Sequence, residues 1–506
     1  MKKLVIASVI ISLFWALVFI GFVFDDLYIS CRYAYNLSCG HGLVFNAGEQ
    51  VEGYTNFLWT LICVIFLKIP VDPGITLKIL SIILGWLCCL ILIVTSNHIW
   101  KNNKKSTVVI LLLLTSPYFV VWVQPGMETS LFTLFGLLAL LCLINNKILW
   151  SLLSCSFACL TRPEGYIFFA AVIVSLCINH RKKTWLILLR NIWLPLLILV
   201  IYHLWRLDYY GDIFPNTYYV KMSGGLTRVA ALAPMIPVGL GLGGLFIFYF
   251  FAFVNKTRSI PIVFSITVSW LFLIYAVTGT PDFFTTYRLL TPAIPFVLIA
   301  GVDWIDIGSK KSKIFLIILS SINLITIAVI AVFFTQMKPS LERSHGKIAE
   351  ILNEQAKPGE VVLSQEMGLI PFRNPQLYFY DVIGLVTEQV SKKLYDEGVN
   401  PYTMYYLSFT EQGRKKVVRV KQEMRNMFFA ADPDWIIVVA YPDWEMGGEL
   451  EQSYDQEQGQ NTLIRYAEGN SFFYNMMSDP RFKERYKLYG IYPAFRIYFL
   501  LLYKKI

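Results

Sequence analysis

Residues 4–33 read LVIASVIISLFWALVFIGFVFDDLYISCRY, a long apolar run that ends abruptly at Asp25 and Asp26. About 20 apolar residues is the length that a helix needs to cross the hydrocarbon core of a bilayer. Two adjacent carboxylates at the end of such a helix repel each other and are unfavourable to remove from water. We therefore interpret the run as a first membrane helix that is kept in the protein and not cleaved as a signal peptide. The two aspartates are then part of a polar site at the membrane surface.

Ten further apolar runs follow the first one and are typical of membrane helices. The predicted spans are Leu4–Phe24, Ile75–Ile99, Thr107–Val123, Thr129–Ile144, Ile148–Leu160, Tyr166–Ile178, Asn191–Trp205, Pro234–Val254, Pro261–Val277, Thr291–Ile305 and Ile314–Phe334. Thr55–Ile69 is short and close to its neighbour, so we interpret it as an interfacial helix. The sequence thus predicts a polytopic α-helical membrane protein with about 11 transmembrane helices plus interfacial helices.

The charge distribution predicts the orientation of these spans. The 506 residues are 56% hydrophobic, and the net charge is +10. The first 335 residues hold 23 Lys and Arg against 12 Asp and Glu, whereas the remainder holds 21 against 22. Most basic residues of the first part fall in loops on the side of the N-terminus, which the positive-inside rule places in the cytoplasm. The basic excess therefore reflects topology, and we predict no nucleic-acid partner.

From Gln336 onward the composition becomes that of a soluble domain. A helical pattern is followed by runs typical of buried strands, which favours a small α/β domain. The predicted elements are a helix over Leu341–Gln355 and strands over Val361–Ser364, Trp435–Val439 and Ala494–Tyr503. We expect a membrane domain over residues 1–335 and an α/β domain over residues 336–506, the latter on the outer, periplasmic side.

Asp25 and Asp26 are the candidate catalytic residues. Glycosyl transfer needs a carboxylate that deprotonates the acceptor hydroxyl or stabilises the cationic sugar carbon. Consecutive residues of a helix diverge by about 100°, so we expect one of the two to face the substrate. The alternative is structural, because Asp26 is also placed to cap a helix that begins at Leu27.

Further polar residues on the predicted outer face form a candidate substrate-binding set. Its acidic, amide and tyrosine members suit sugar hydroxyls, and Lys221 and Arg288 suit a lipid-linked phosphate. Several members have a plainer reading, namely helix capping for Asn56, helix-start chemistry for Glu164 and lipid headgroup contact for Arg32, Lys221 and Arg288. The set is Arg32, His41, Glu52, Tyr54, Asn56, Glu128, Arg162, Glu164, Asn216, Tyr218, Lys221, Asp282 and Arg288.

The nine cysteines and five histidines lie at scattered spacings that match no metal motif. We therefore expect no disulfide framework, no metal site and no cofactor from the spacing alone. Phosphate-binding and nucleophile-elbow motifs are also missing from the sequence.

The motifs together resemble a known family. Asp25-Asp26-x-Tyr28-Ile29-Ser30-x-Arg32-Tyr33, Gly40-His41-Gly42-Leu43-Val44-Phe45-Asn46 and Val51-Glu52-Gly53-Tyr54-Thr55-Asn56 resemble the polytopic GT-C glycosyltransferases. The likeness extends to Gly126-Met127-Glu128-Thr129, Arg162-Pro163-Glu164-Gly165, Pro215-Asn216-Thr217-Tyr218-Tyr219-x-Lys221 and Arg288-x-Leu290-x-Pro292. Within that group the chain is most similar to the mycobacterial terminal β-(1→2)-arabinofuranosyltransferases.

The resemblance implies a GT-C fold in the bacterial inner membrane and a polyprenyl-phosphate sugar donor. It further implies an acceptor glycan of the cell envelope, lipopolysaccharide included, and a catalytic aspartate at position 25 or 26. The transferred sugar would be arabinofuranose or another envelope sugar. Two other classes stay open at this point: a transporter or flippase of lipid-linked glycans, and a non-catalytic envelope assembly factor with the tail as a binding module.

Overall fold

The computed structural model describes most of the chain. The described residues are 2–180, 184–223, 245–278, 288–335, 337–401, 407, 410–441, 456–468, 473–494 and 498–506. The site candidate Asp282 and the first part of the predicted span Pro234–Val254 lie outside them.

The first two thirds of the chain are helical. The helices are α1 Lys2–Val18, α2 Leu27–Ser38, α3 Phe57–Phe66, α4 Pro73–Trp100, α5 Asn103–Leu114, α6 Pro117–Trp122, α7 Thr129–Ile144, α8 Ile148–Thr161, α9 Tyr166–His180, α10 Thr184–Asn191, α11 Trp193–Tyr210, α12 Asn216–Met222, α13 Leu245–Val254, α14 Ile260–Thr278, α15 Ile294–Trp304 and α16 Lys310–Phe334. A single 3-10 turn, Pro163–Gly165, precedes α9, and a longer one, Arg288–Ala293, precedes α15.

The length and hydropathy of these helices confirm the predicted spans only in part. Among the described residues, two helices are long and apolar enough to cross a membrane, over Pro73–Trp100 and Lys310–Val332. The bent pair α10 and α11 would make a third span, with an angle of 55° at the break. The other apolar helices are shorter, so the count of about 11 spans is not confirmed.

Prolines account for two breaks in runs that the sequence predicts to be continuous. The predicted span Thr107–Val123 is divided into α5 and α6 just before Pro117, because proline lacks the N–H for an internal helical bond. The predicted span Thr291–Ile305 begins as a 3-10 turn that contains Pro292 and becomes α-helical only at Ile294. The turn that contains Pro292 lines the polar site described below.

The last third of the chain surrounds a five-stranded sheet. Its helices are α17 Met337–Leu341, α18 Lys347–Gln355, α19 Leu369–Arg373, α20 Glu388–Asp396, α21 Glu411–Ala430, α22 Glu457–Glu468 and α23 Pro480–Arg485. Its strands are β1 Val361–Ser364, β2 Tyr378–Asp381, β3 Trp435–Ala440, β4 Tyr486–Ala494 and β5 Tyr498–Lys505. The strand order is β2-β1-β3-β5-β4; β1 is parallel to β2 and β3, and β5 is antiparallel to β3 and β4.

Successive side chains of a strand lie on opposite faces of the sheet, and the two faces of this sheet pack against different parts of the chain. Ile436 and Val438 of β3 belong to a core formed with α21. Trp435, Ile437 and Val439 belong to a second core, which includes aromatic residues of α2 and of the loop after it. The sheet therefore packs directly on the segment that follows Asp25 and Asp26.

Arg32 of α2 holds this contact together. Its side chain is fully buried, between the rings of Phe45 and Phe379 at 4.7 and 5.0 Å from their centroids. All of its N–H donors are used, since five hydrogen bonds run to Phe45 O, Asn46 Oδ1, Pro371 O, Asn374 O and Leu377 O. Arg32 thus joins the loop after α2, residues 39–56 and called the first loop below, to the segment that leads from α19 into β2 of the sheet. Its guanidinium is fully used in this contact.

Candidate active site

Asp25 and Asp26 point in different directions, as expected for adjacent residues at the start of a helix. Asp26 stands at the N-cap of α2 but makes no capping hydrogen bond. Its carboxylate, about half exposed, lies 3.5 Å from Nη1 of Arg288. Asp25 Oδ1 instead accepts a hydrogen bond of 2.8 Å from the amide of Leu369. The first carboxylate therefore contacts the C-terminal part of the chain, and the second faces the cleft between the helices.

A buried carboxylate–arginine network lies next to Asp26. Arg162 donates Nε and Nη2 to the two oxygens of Glu164 at 3.1 and 3.0 Å, and Nη1 to Glu128. Asn56 donates to Glu128 at 3.1 Å, and Tyr275 donates to Glu164 at 2.5 Å. Glu128 follows α6, and Arg162 and Glu164 follow α8, whereas Asn56 precedes α3 and Tyr275 lies within α14. These hydrogen bonds hold Arg162 and Glu164, which line the cleft described below, in defined positions.

Electrostatics in this network favour the ionised forms. Burial opposes ionisation of Glu164, but the charge and hydrogen bonds of Arg162 outweigh it and hold the pKa of Glu164 at about 2. Burial also opposes ionisation of Glu128, yet Arg162 and Arg288 lower its pKa. Both carboxylates are therefore charged at neutral pH, and Arg162 is held between them.

Two further cations, Arg288 and Lys221, lie beside this network. Arg288 lies over the ring of Trp122, 5.6 Å from its centroid. Lys221 of α12 is within electrostatic range of Arg162, Arg288 and Asp26, and its pKa is lowered by burial and then by the two arginines. A small cleft opens here, lined by Thr129, Phe132, Arg162, Glu164, Phe272, Arg288, Leu289 and Pro292. Two arginines and one glutamate thus line the cleft, and Asp26 lies beside it through its contact with Arg288.

Glu52 and Asn216 have partners outside the cleft. Glu52 is buried and paired with Arg206 of α11, whose Nε lies 3.0 and 2.9 Å from the two carboxylate oxygens. Burial raises the pKa of Glu52, while Arg206 acts in the opposite direction. Asn216 donates to the carbonyls of Gly384 and Leu385 at 2.7 and 3.0 Å. Glu52 thus connects the loop after α2 to α11, and Asn216 connects the start of α12 to the loop after β2.

The remaining candidates are distributed around the site. His41 is exposed on the first loop. The Tyr54 hydroxyl contacts the Tyr210 hydroxyl at 3.1 Å in the aromatic core beneath the sheet. Tyr218 stacks on Phe214, with ring centroids 4.2 Å apart. Of the candidate set, Arg162, Glu164 and Arg288 line the cleft. Glu128 pairs with Arg162, Asn56 donates to Glu128, and Lys221 and Asp26 lie near Arg288.

Asp25 belongs to a second polar cluster that the sequence does not reveal. Its carboxylate lies with His345 and Glu366, and one ligand atom from each falls within 4.8 Å of the others. His345 Nε2 is 3.0 Å from Glu366 Oε2. Burial raises the pKa of Asp25 to about 6, with His345 opposing and Glu366 adding to that effect. The three side chains come from the loop after α1, the turn before α18 and the loop after β1.

Sequence reasoning missed Arg206, Tyr275, His345 and Glu366. Arg206 carries a local signal, because a lone arginine directly after a predicted apolar span is a candidate partner for a nearby carboxylate. The other three residues carry no local signal. Tyr275 lies 111 positions from Glu164, its hydrogen-bond partner, and α18 and β1 lie between His345 and Glu366 in the sequence.

Comparison with known proteins agrees with the architecture. Residues 334–489 match a family described as a domain of unknown function, DUF8728. A search of curated proteins gave no significant match. Because the matched family covers less than half of the chain, it characterises the sheet-containing part alone.

Two crystal structures of ArnT from Cupriavidus metallidurans are similar to the whole chain. The structure bound to undecaprenyl phosphate aligns with a TM-score of 0.59 at 10% identity, covering 99% of this chain and 97% of ArnT. The apo structure aligns with a TM-score of 0.57 at 11% identity, covering 99% and 98%. The chain therefore has an ArnT-like GT-C fold, with the cleft around Asp26 and Arg288 among its helix ends.

Proposed function

We propose that this chain is a glycosyltransferase that moves a sugar from a polyprenyl-phosphate donor to a cell-envelope glycan. The observation that carries the proposal is the placement of the Asp26 carboxylate beside Arg288. Arg288 lines a cleft together with Arg162 and lies within electrostatic range of Lys221. An ArnT structure of the same fold is bound to undecaprenyl phosphate, which is the type of carrier that we propose here.

The basic residues suit the leaving group of such a reaction. Transfer breaks the bond between the anomeric carbon and the phosphate oxygen, so negative charge accumulates on the lipid phosphate. Arginine binds phosphate oxygens through two N–H groups, and lysine supplies a compact charge. Fixed cations that face developing charge are the largest source of rate enhancement in many enzymes. We assign this role to Arg288 and Lys221, with Arg162 held behind them by its two glutamates.

Asp26 suits the acceptor side of the reaction. As a general base it would take the proton of the acceptor hydroxyl while that oxygen bonds to the anomeric carbon and polyprenyl phosphate departs. Asp25 is less suited to this step, because its carboxylate is engaged by the Leu369 amide and by the cluster with His345. We therefore assign the base to Asp26 and a positioning role to Asp25.

The proposed setting is the bacterial inner membrane, with an N-terminus in the cytoplasm and the cleft on the periplasmic face. We propose that residues 336–506 form a periplasmic domain that takes part in holding the acceptor glycan. Arabinofuranose, suggested by the family resemblance, is our proposed sugar. A transporter would need ionisable groups in the middle of its spans. Here Glu128, Arg162 and Glu164 stand at helix ends, which favours the enzyme.

The test is the envelope glycan of a deletion strain carrying plasmid copies of the gene. Loss of a terminal sugar in the deletion strain, restored by the wild type and not by Asp26→Asn, is the expected result. Asp208→Asn serves as the matched control, because Asp208 is exposed near the outer end of α11. Full restoration by Asp26→Asn at normal membrane abundance would remove the catalytic assignment.

A further inference from the structure

Asp25, His345 and Glu366 form a compact cluster at the junction of the helices and the sheet. His345 is completely buried, and the Glu366 side chain is 17% exposed. One oxygen or nitrogen atom from each residue lies within 4.8 Å of the other two. The cluster is separate from the cleft, since the neighbouring Asp26 carboxylate is directed to Arg288.

The two ring nitrogens of His345 have different neighbours, Ser344 beside Nδ1 and Glu366 beside Nε2. The Ser344 hydroxyl donates its proton to the Ser340 carbonyl at 2.9 Å. The same oxygen lies 2.9 Å from His345 Nδ1. When a neutral His345 carries its proton on Nδ1, it donates to this oxygen and presents the lone pair of Nε2 to the cluster.

In that tautomer the Nε2 lone pair faces a hydrogen-bond acceptor. Nε2 is 3.0 Å from Glu366 Oε2, and an ionised carboxylate only accepts hydrogen bonds. Two acceptors at this distance repel unless a positive species lies between or beside them. The species is either a second proton on the imidazole or a metal ion, and the Asp25 carboxylate adds a third donor atom of the kind that metals bind.

We infer that Asp25, His345 and Glu366 bind a divalent transition-metal ion, for which Zn²⁺ is the best fit. One imidazole nitrogen and two carboxylates match the three protein ligands and open fourth position of many zinc sites. Bonds of about 2.0–2.2 Å in a tetrahedron put ligand atoms roughly 3.4 Å apart. The separations here, 3.0 Å for one pair and at most 4.8 Å for the others, fall around that value. Mg²⁺ and Ca²⁺ prefer oxygen ligands throughout, so the histidine disfavours them.

The surroundings of the three ligands resemble the outer shell of a metal site. Metal-binding histidines usually donate their other N–H to an oxygen, and metal-binding carboxylates are themselves hydrogen-bonded. Here His345 Nδ1 contacts Ser344, and Asp25 Oδ1 accepts from the Leu369 amide. A metal would thereby tie the loop after α1 to the C-terminal part of the chain, and it would hold Asp26, the next residue, in place.

The experiment measures metal binding and does not depend on sugar transfer, so its failure and failure of the proposed function are distinguishable. Full-length protein in detergent is stripped with a chelator, incubated with Zn²⁺, desalted and subjected to elemental analysis. We expect one Zn²⁺ per chain for the wild type and for the control His98→Ala, because His98 is exposed on α4. His345→Ala is expected to lose the ion, and thermal unfolding of the wild type alone should shift upward with Zn²⁺.

Near-isosteric variants guard against misfolding as an explanation. Glu366→Gln and Asp25→Asn keep the shape of the side chains while weakening each ligand, so Zn²⁺ affinity in chelator competition should fall at least tenfold. Equal zinc content in the wild type and all three ligand variants would overturn the inference. So would a wild type that retains no stoichiometric zinc, because His345 would then be paired with the carboxylates as an imidazolium.

Discussion

Replacement of Arg32 by lysine should loosen the contact between the first loop and the sheet while keeping the positive charge. Arg32 makes five hydrogen bonds, four of them to backbone carbonyls. A lysine ammonium has three donors, so at least two buried acceptors are left without a partner. Each unsatisfied buried group costs about 1–3 kcal/mol, which gives a loss of roughly 2–6 kcal/mol in the local free energy of opening.

Hydrogen–deuterium exchange of the segment 369–379 measures this loss directly. A change of about 2 kcal/mol speeds exchange through local opening by roughly 30-fold, and larger values speed it further. Arg465→Lys is the matched control, because Arg465 is exposed on α22. Unchanged exchange of 369–379 in Arg32→Lys would refute the reasoning, since the Arg32 contacts would then contribute no stability.

Two further variants test the cleft and its edge. Glu164 has a pKa near 2, below the ordinary 4.5, so its contribution to stability is complete above about pH 4.5 and is lost as the pH falls toward 2. Glu164→Gln should therefore be less stable at neutral pH and show a flatter loss of thermal stability across that window; parallel pH profiles would contradict the assignment. A Cβ on Gly368 would lie 2.2 Å from both the carbonyl oxygen and Oδ2 of Asp25, so Gly368→Ala must displace the loop between α1 and α2. Because a shift of about 1 Å at a catalytic group costs on the order of 100-fold in rate, we expect at least a tenfold loss of transfer at normal abundance. Transfer at the wild-type rate would show that this contact does not position the site.

The sequence was a good guide to the parts of the fold with strong local patterns. The apolar run Val361–Ser364 is confirmed as β1, and Trp435–Val439 lies within β3. Strand β2 was missed because Tyr378–Asp381 is short and ends in an aspartate. The predicted strand Ala494–Tyr503 overlaps the end of β4 and most of β5, because two adjacent apolar strands of a hairpin give one continuous pattern.

In the candidate site too, local motifs were predictable from the sequence and long-range contacts were not. Short loop motifs identified Glu128, Arg162 and Glu164, which the fold brings into one network. They did not identify the contacts that Arg32 makes, because its acceptors Pro371 and Leu377 lie more than 300 positions away. Pairings of this kind depend on how the sheet packs on the first loop. No spacing in the sequence encodes that packing, so these contacts required the structure.

The most direct test of the central claim is sugar transfer by purified protein in proteoliposomes. The assay measures release of polyprenyl phosphate from synthetic polyprenyl-phosphate sugars, arabinofuranose among them, in the presence of envelope glycan. The account predicts release by the wild type and by Asp208→Asn, and a loss of at least 100-fold in Asp26→Asn, in line with removal of a general base. Release at the wild-type rate by folded Asp26→Asn, or none from any donor by the wild type, would contradict it.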